Sequence, residues 1–214
     1  MRKKYTLLLL LTCTAFVASA QIQLGFKASP YWSSNRVNIG SSTDVSNDGN
    51  ALRFTLGPVA DISIDGNDSY FFSTGLWFSA RRAGISYLND NSERITQSYN
   101  LQYLSAPVTM KLYTQEVLLD KRIYFQFGPT IDIKISDKLK EGDPDNQLVE
   151  KFRFIDLSLF MSAGMDWYMG GTTRIYGGLT YSRGLINAAS KTIEPLNDMS
   201  YKNDLFGIEL GVMF

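Results

Sequence analysis

The sequence predicts an all-β fold: an eight-stranded antiparallel up-and-down transmembrane β-barrel, preceded by a cleaved signal peptide. Three observations carry that expectation. The N-terminus has the plan of an export signal, eight separate runs alternate in polarity with period 2, and the links between the runs are long and short in turn.

The first twenty residues read as the signal. Arg2, Lys3 and Lys4 form a charged start, Leu7 to Leu11 an apolar centre, and Ala18-Ser19-Ala20 a small-residue cleavage site, so residues 1–20 are expected to leave and the barrel domain to occupy 21–214 from Gln21. The only cysteine, Cys13, falls inside this segment, which leaves the mature chain without thiol or disulfide. Leu10-Leu11-Thr12-Cys13 has the outline of a lipoprotein box, but that reading shortens the apolar centre and leaves Ala-Ser-Ala unexplained.

The 214 residues carry 21 basic and 21 acidic side chains, a balance that gives no pull towards nucleic acid and suits one ordinary domain. After the N-terminus no apolar run approaches the ~18 residues a membrane helix needs. A membrane barrel escapes that test, because alternating strands keep the average hydropathy low.

From residue 22 the period is 2. Ile22, Leu24, Phe26 and Ala28 oppose Gln23, Gly25, Lys27 and Ser29; Leu52, Phe54, Leu56, Ala60 and Ile62 oppose Arg53, Thr55, Gly57, Asp61 and Ser63. Tyr70, Phe72, Leu76 and Phe78 oppose Ser73, Gly75, Ser79 and Arg81, and near 99–113 Leu104, Val108, Met110 and Leu112 oppose Tyr103, Ser105, Thr109 and Lys111. The clearest run, near 122–135, sets Ile123, Phe125, Phe127, Ile131 and Ile133 against Tyr124, Gln126, Gly128, Asp132 and Lys134. Three more follow near 152–168, 173–185 and 206–214, the last closing on Phe214. The links Ser33 to Asn50, Ala83 to Ser98, Ser136 to Glu150 and Asn187 to Lys202 are long. Those around Asp65-Gly66-Asn67-Asp68, Thr114 to Lys121 and Gly170-Gly171 are shorter, so all long links fall on one side of the membrane.

Which face is inside separates a membrane barrel from a soluble one. The polar face carries Lys27, Arg53, Arg81, Lys111, Lys134 and Arg174 with Asp61, Asp132, Asp156, Asp166 and Glu209, interspersed with glycine. Glycine is a poor choice for an exposed strand, but inside a narrow barrel it leaves room for long charged side chains to cross and pair. The opposite face is aliphatic and aromatic in every run, as hydrocarbon requires. Tyr31, Trp32, Tyr70, Trp167 and Phe214 near strand ends suit an interfacial girdle. A terminal strand ending in Phe214 resembles the assembly signal of outer-membrane barrels.

Tyr103-Leu104-Ser105-Ala106-Pro107-Val108-Thr109-Met110-Lys111, followed by Phe125-Gln126-Phe127-Gly128-Pro129, resembles the PorT-like outer-membrane β-barrel proteins. The resemblance implies a Gram-negative outer-membrane barrel, with outer-membrane lipid and the barrel-assembly machinery as its surroundings and a link to secretion or other envelope partners in one namesake. Each proline removes a ladder hydrogen bond, so Pro58, Pro107 and Pro129 are expected at bulges or near a membrane boundary.

Catalysis is the class that composition damages most. Without histidine, and without cysteine in the mature chain, serine-histidine and cysteine-histidine systems and the usual soft metal ligands are gone, and no cofactor is implied. Asp156 and Asp166 could form an acid-base pair, but pairing with inward lysines and arginines is the preferred reading. Glu141-Gly142-Asp143-Pro144-Asp145-Asn146 offers oxygens to calcium without a recognised spacing and reads as a solvated turn. The sequence therefore points to a non-enzymatic binding or scaffold component of the envelope with a filled interior. A narrow porin-like channel is the alternative.

Overall fold

The computed structural model describes residues 21–38, 45–47, 50–64, 66–88, 94–142, 149–192 and 199–214. The predicted cleavage residues Ala18 and Ala20 lie outside these; Gln21 is the first described residue. The barrel wall is built from β1 (Ile22–Asn38), β3 (Ala51–Ser63), β4 (Tyr70–Gly75) with β5 (Trp77–Leu88), β6 (Arg94–Leu118), β7 (Lys121–Glu141), β9 (Ile155–Gly170), β10 (Thr173–Gly184) and β12 (Ser200–Met213). Short strands β2 (Val45–Asn47), β8 (Val149–Phe152) and β11 (Ala189–Thr192) lie in the long links.

β4 and β5 are one stave interrupted at Leu76, so the wall has eight staves, each antiparallel to its neighbours. The pairing of β1 with both β3 and β12 closes the ring. Stepping across the pairs from Ile22 through Ile62, Phe72, Met110, Phe127, Met161, Tyr181 and Phe206 returns to β1 at Trp32, a stagger of ten residues. Eight strands with that stagger tilt by about 41° and enclose a backbone radius of roughly 8 Å, which side chains from opposite walls fill.

The barrel inverts the usual distribution of polarity. Leu24, Phe54, Phe125, Leu179, Phe206 and Leu210 are exposed on the outside, whereas Lys27, Asp61, Arg81, Lys111, Asp132 and Glu209 are buried. In a bilayer the exposed face contacts hydrocarbon and the closed ladder leaves no unpaired edge within it. Three tight connections, the first described residue Gln21 and the C-terminus share one end of the barrel, where the Phe214 amide donates to Leu24 O (2.8 Å) and the Ser63 amide to Gln21 O (3.1 Å). Gly170 and Gly171, at φ of 110° and 60°, take the left-handed backbone the β9–β10 turn demands.

The strands run further than the alternation suggested. β5 and β6 extend through most of the expected link 83–98, and β7 reaches Glu141, because these stretches pair with each other beyond the level where β9 begins and β10 ends. The prolines also depart from expectation: Pro58 faces Phe26, Pro107 faces Thr130 and Pro129 faces Leu159 with the register unbroken on either side. The proline oxygen still accepts where its nitrogen cannot donate. Leu76 N donates to Pro58 O at 3.2 Å, and the half-bonded pair shows only as the short break between β4 and β5.

Candidate functional site: a layered ionic interior under an apolar lid

Inward alternation brings buried charges from all staves into the lumen, where they form layers. Nearest the short turns, Asp166 lies between Arg174 (3.2 Å) and Arg122 (3.5 Å), and Arg174 also donates to the Gln23 amide oxygen. Lys111 pairs with Asp61 at 3.0 Å, and Ser73 donates to the other Asp61 oxygen at 2.5 Å. The rings of Tyr176, Tyr124 and Tyr113 surround this ammonium at 4.3, 5.1 and 5.4 Å.

Towards the middle Lys27 pairs with Glu209 at 3.0 Å and rides 3.5 Å above the Trp77 ring, while Tyr124 and Ser162 hydroxyls donate to Glu209. Further out, Asp132 and Asp156 face each other on β7 and β9, a like-charge pairing that would destabilise the sheet alone. Arg81 bridges them at 2.7 and 3.6 Å, with Ser105 and Ser158 donating to Asp132 and Asn203 to Asp156. Buried charges are tolerated when paired and hydrogen-bonded in this way.

Nine of the eleven charges assigned from sequence sit in these layers. Arg53 and Lys134 instead lie half-buried near the long-link end: Arg53 donates to the Asn100 side chain (2.9 Å), and Lys134 pairs with Asp137 and donates to Phe152 O (2.9 Å). Both are on inward-phase positions, but each stays partly exposed, so neither needs a fully buried counter-charge. Asp156 and Asp166 do not come together. Ten residues of one strand separate them, roughly 33 Å, and each serves a different arginine layer.

Several interior residues escaped the sequence reading. Arg122 is one. Phe71, Trp77, Phe160, Tyr176 and Met213 are others, buried inside although apolar, and Tyr31, expected in the outer girdle, is 2% exposed and donates its hydroxyl to Ala80 O at 2.5 Å. Polarity alone does not predict them, because an aromatic ring facing a lysine or arginine is as useful inside as outside. Strict parity would have found them: Phe71 lies two residues before Ser73, and Phe160 midway between Ser158 and Ser162. Trp32, by contrast, points outward at 57% exposure.

Between Lys27 and Arg81 the barrel encloses a cavity of about 40 Å³ ringed by the hydroxyls of Ser29, Thr55, Ser79, Ser105, Thr130 and Thr180. Such a volume holds about three waters and no organic ligand. Above Arg81, β8 and β11 pair with each other across the long-link mouth and seat Phe152 on the rings of Tyr99 (5.2 Å) and Tyr201 (6.0 Å). Val149, Met199 and Leu101 complete this apolar core. Two long links thus close over the charged lumen.

Among the described residues no group of three acidic, histidine or cysteine side chains converges as a metal site, and the Asp143 to Asn146 part of the acidic loop lies outside them. The Phe214 side chain, assigned to assembly, is exposed at the short-turn end.

Solved structures similar to this fold include OprG of Pseudomonas aeruginosa, 13% identical with a TM-score of 0.53 over 90% of this chain and 94% of that one. Neisserial surface protein A is 11% identical with a TM-score of 0.48 over 92% and 99%. No curated protein sequence matches the chain. The family described as outer membrane protein beta-barrel domain matches residues 18–190. A closed eight-stave wall, an apolar exterior and a matching profile over most of the length agree: the chain belongs to the outer membrane protein beta-barrel domain family.

Proposed function

We propose that this outer-membrane barrel acts as a binding or scaffold component of the cell envelope, with an interior that does not conduct, in the secretion-associated manner that the PorT-like resemblance implies. One observation supports it above the rest: the lumen is filled by ionic layers and then covered by the β8–β11 lid, so the protein's chemistry is offered by its rims and loops. An eight-stranded barrel has little room for a path past such a filling. The surroundings this reading requires are outer-membrane lipid, the barrel-assembly machinery and an envelope partner met at the loops.

The narrow-channel reading draws on the hydroxyl-lined cavity between Lys27 and Arg81. Planar-bilayer recording separates the two. A silent barrel, together with a reproducible partner captured by gentle crosslinking in membranes, supports the scaffold. Steady ion-selective steps that change on replacing Lys111 or Asp132 would overturn it.

A further inference from the structure

Outside the lumen, the wall carries a charged cluster that its own side chains leave incomplete. Tyr181, Phe206 and Trp32 face one another in turn across β10, β12 and β1 on the outward phase, an aromatic row of the kind that marks a membrane interface. Two residues further towards the long links the same face turns polar, with Arg183 opposite Asp204. A further two residues on, Lys202 stands opposite Arg36.

These charges do not balance. Arg36 takes both oxygens of Asp204 and also donates to Gly184 O (2.8 Å), while the Gly184 amide donates to Asp204 (3.2 Å). Arg183 and Lys202 have no hydrogen-bond or ion-pair partner among the described residues. Three cations thus surround one carboxylate, and like charges directly opposite, as Lys202 and Arg36 are, destabilise a sheet unless an anion screens them. Arg183 and Lys202 are diagonal neighbours on adjacent strands, about 7–8 Å apart at the backbone, so long side chains can converge on one group between them. A guanidinium fork beside an ammonium suits a phosphate.

Below the aromatic row the hydrocarbon face is hollowed. Ala163 on β9 stands between its direct partners Phe125 of β7 and Leu179 of β10, and its short side chain leaves a groove of about 470 Å³ walled also by Phe127, Met161, Tyr181 and Phe206. The upper end of this groove, at Tyr181, lies two residues along β10 from Arg183, roughly 7 Å.

We propose that this stretch of β9, β10 and β12 is a seat for one phosphate-bearing lipid of the outer leaflet, its phosphate on Arg183 and Lys202 and an acyl chain in the groove over Ala163. The long-link end faces outward in barrels of this kind, which puts the two cations among outer-leaflet headgroups. A free anion would use the cations and not the groove, and an uncharged lipid the groove and not the cations. A phosphorylated lipid uses both. The seat is on the wall, so it holds whether or not the lumen conducts.

The test titrates the full barrel in nonionic detergent with diphosphoryl lipid A and counts bound lipid by native mass spectrometry. One molecule should stay bound, and the dephosphorylated lipid should bind at least about tenfold more weakly, the scale of a lost charge-assisted contact. Arg183→Gln with Lys202→Gln should bring the same loss, whereas Lys138→Gln, at an exposed cation of β7, should change nothing. Ala163→Leu should weaken binding about threefold by filling the groove, because a chain already in an apolar phase gains only packing there. Equal losses from Lys138→Gln and from the Arg183→Gln/Lys202→Gln barrel would overturn the seat, as would equally tight binding of inorganic phosphate alone, or barrels paired through the groove in place of a lipid-bound monomer. Equal affinity for the dephosphorylated lipid would overturn it too, a result read on the parent barrel and independent of how any variant folds.

Discussion

Replacing Lys111 by methionine isolates the worth of one ionic layer. Lys111 and Asp61 are 1% and 0% exposed and 3.0 Å apart, so truncating the ammonium leaves the Asp61 carboxylate buried with only the Ser73 hydroxyl as partner. Breaking a buried pair from one side costs about 3–5 kcal/mol, and loss of the contacts to the Tyr176, Tyr124 and Tyr113 rings adds about 1 kcal/mol. Methionine keeps the volume, so a cavity adds little. Adding Asp61→Asn removes the stranded charge while the amide oxygen still accepts from Ser73, so the double variant should lose only about 1–2 kcal/mol relative to the parent. Adding Asp61→Asn thus recovers about 3 kcal/mol of the Lys111→Met loss, read from urea midpoints of the four barrels in micelles, with heat-modifiable gel migration reporting the folded fraction. Additive single and double losses would refute the claim that the layers are held by mutual charge compensation.

Two other outcomes test the wall and the outer rim. A Cβ on Gly178 would stand 2.4 Å from Ala163 O, 2.7 Å from Gly164 Cα and 2.6 Å from the Tyr124 hydroxyl, so Gly178→Ala should cost about 1–3 kcal/mol through overpacking, checked as a lower urea midpoint. At the rim, the Ser98 hydroxyl and then the Arg82 guanidinium hold the Glu141 carboxyl below the usual carboxylate range. Its stabilising effect is therefore complete above the ordinary value of 4.5 and disappears as pH falls through the lower folded value. A carboxyl ¹³C titration should place Glu141 below the other exposed glutamates, and Arg82→Gln should move it up.

Much of this molecule was legible from alternation alone, and the reason is physical. A closed barrel in a bilayer has two environments separated by one strand's thickness, so polarity at every second residue must report the face. Lys27, Asp61, Lys111, Asp132 and Glu209 could be placed for that reason. Phe71, Trp77 and Phe160 could not, because hydropathy treats a ring under an ammonium like a ring in lipid. Nor could the partners: which acid meets which base depends on the stagger of ten, and Lys27 and Glu209 are 182 residues apart. The lid was hidden for a related reason. Val149 to Phe152 and Ala189 to Thr192 become strands only against each other, in links with no period of their own.

The same pairs explain why the register is unique. Sliding any stave by one residue would send its whole polar set into hydrocarbon and its apolar set into the lumen. For a central lysine or arginine that exposure costs about 2–4 kcal/mol in the membrane, before the stranded partner inside is counted. A slip by two keeps every side chain on its proper face, so hydrophobic patterning does not oppose it. Cross-lumen partners do: a two-residue slip carries Lys111 roughly 6–7 Å along the barrel, far enough to break its 3.0 Å contact with Asp61 and take it out of the three tyrosine rings. The ionic layers therefore contribute specificity where amphipathicity is silent, and the serine and asparagine donors around each carboxylate sharpen it further. An interior tuned to fix register is the one the proposed non-conducting role needs.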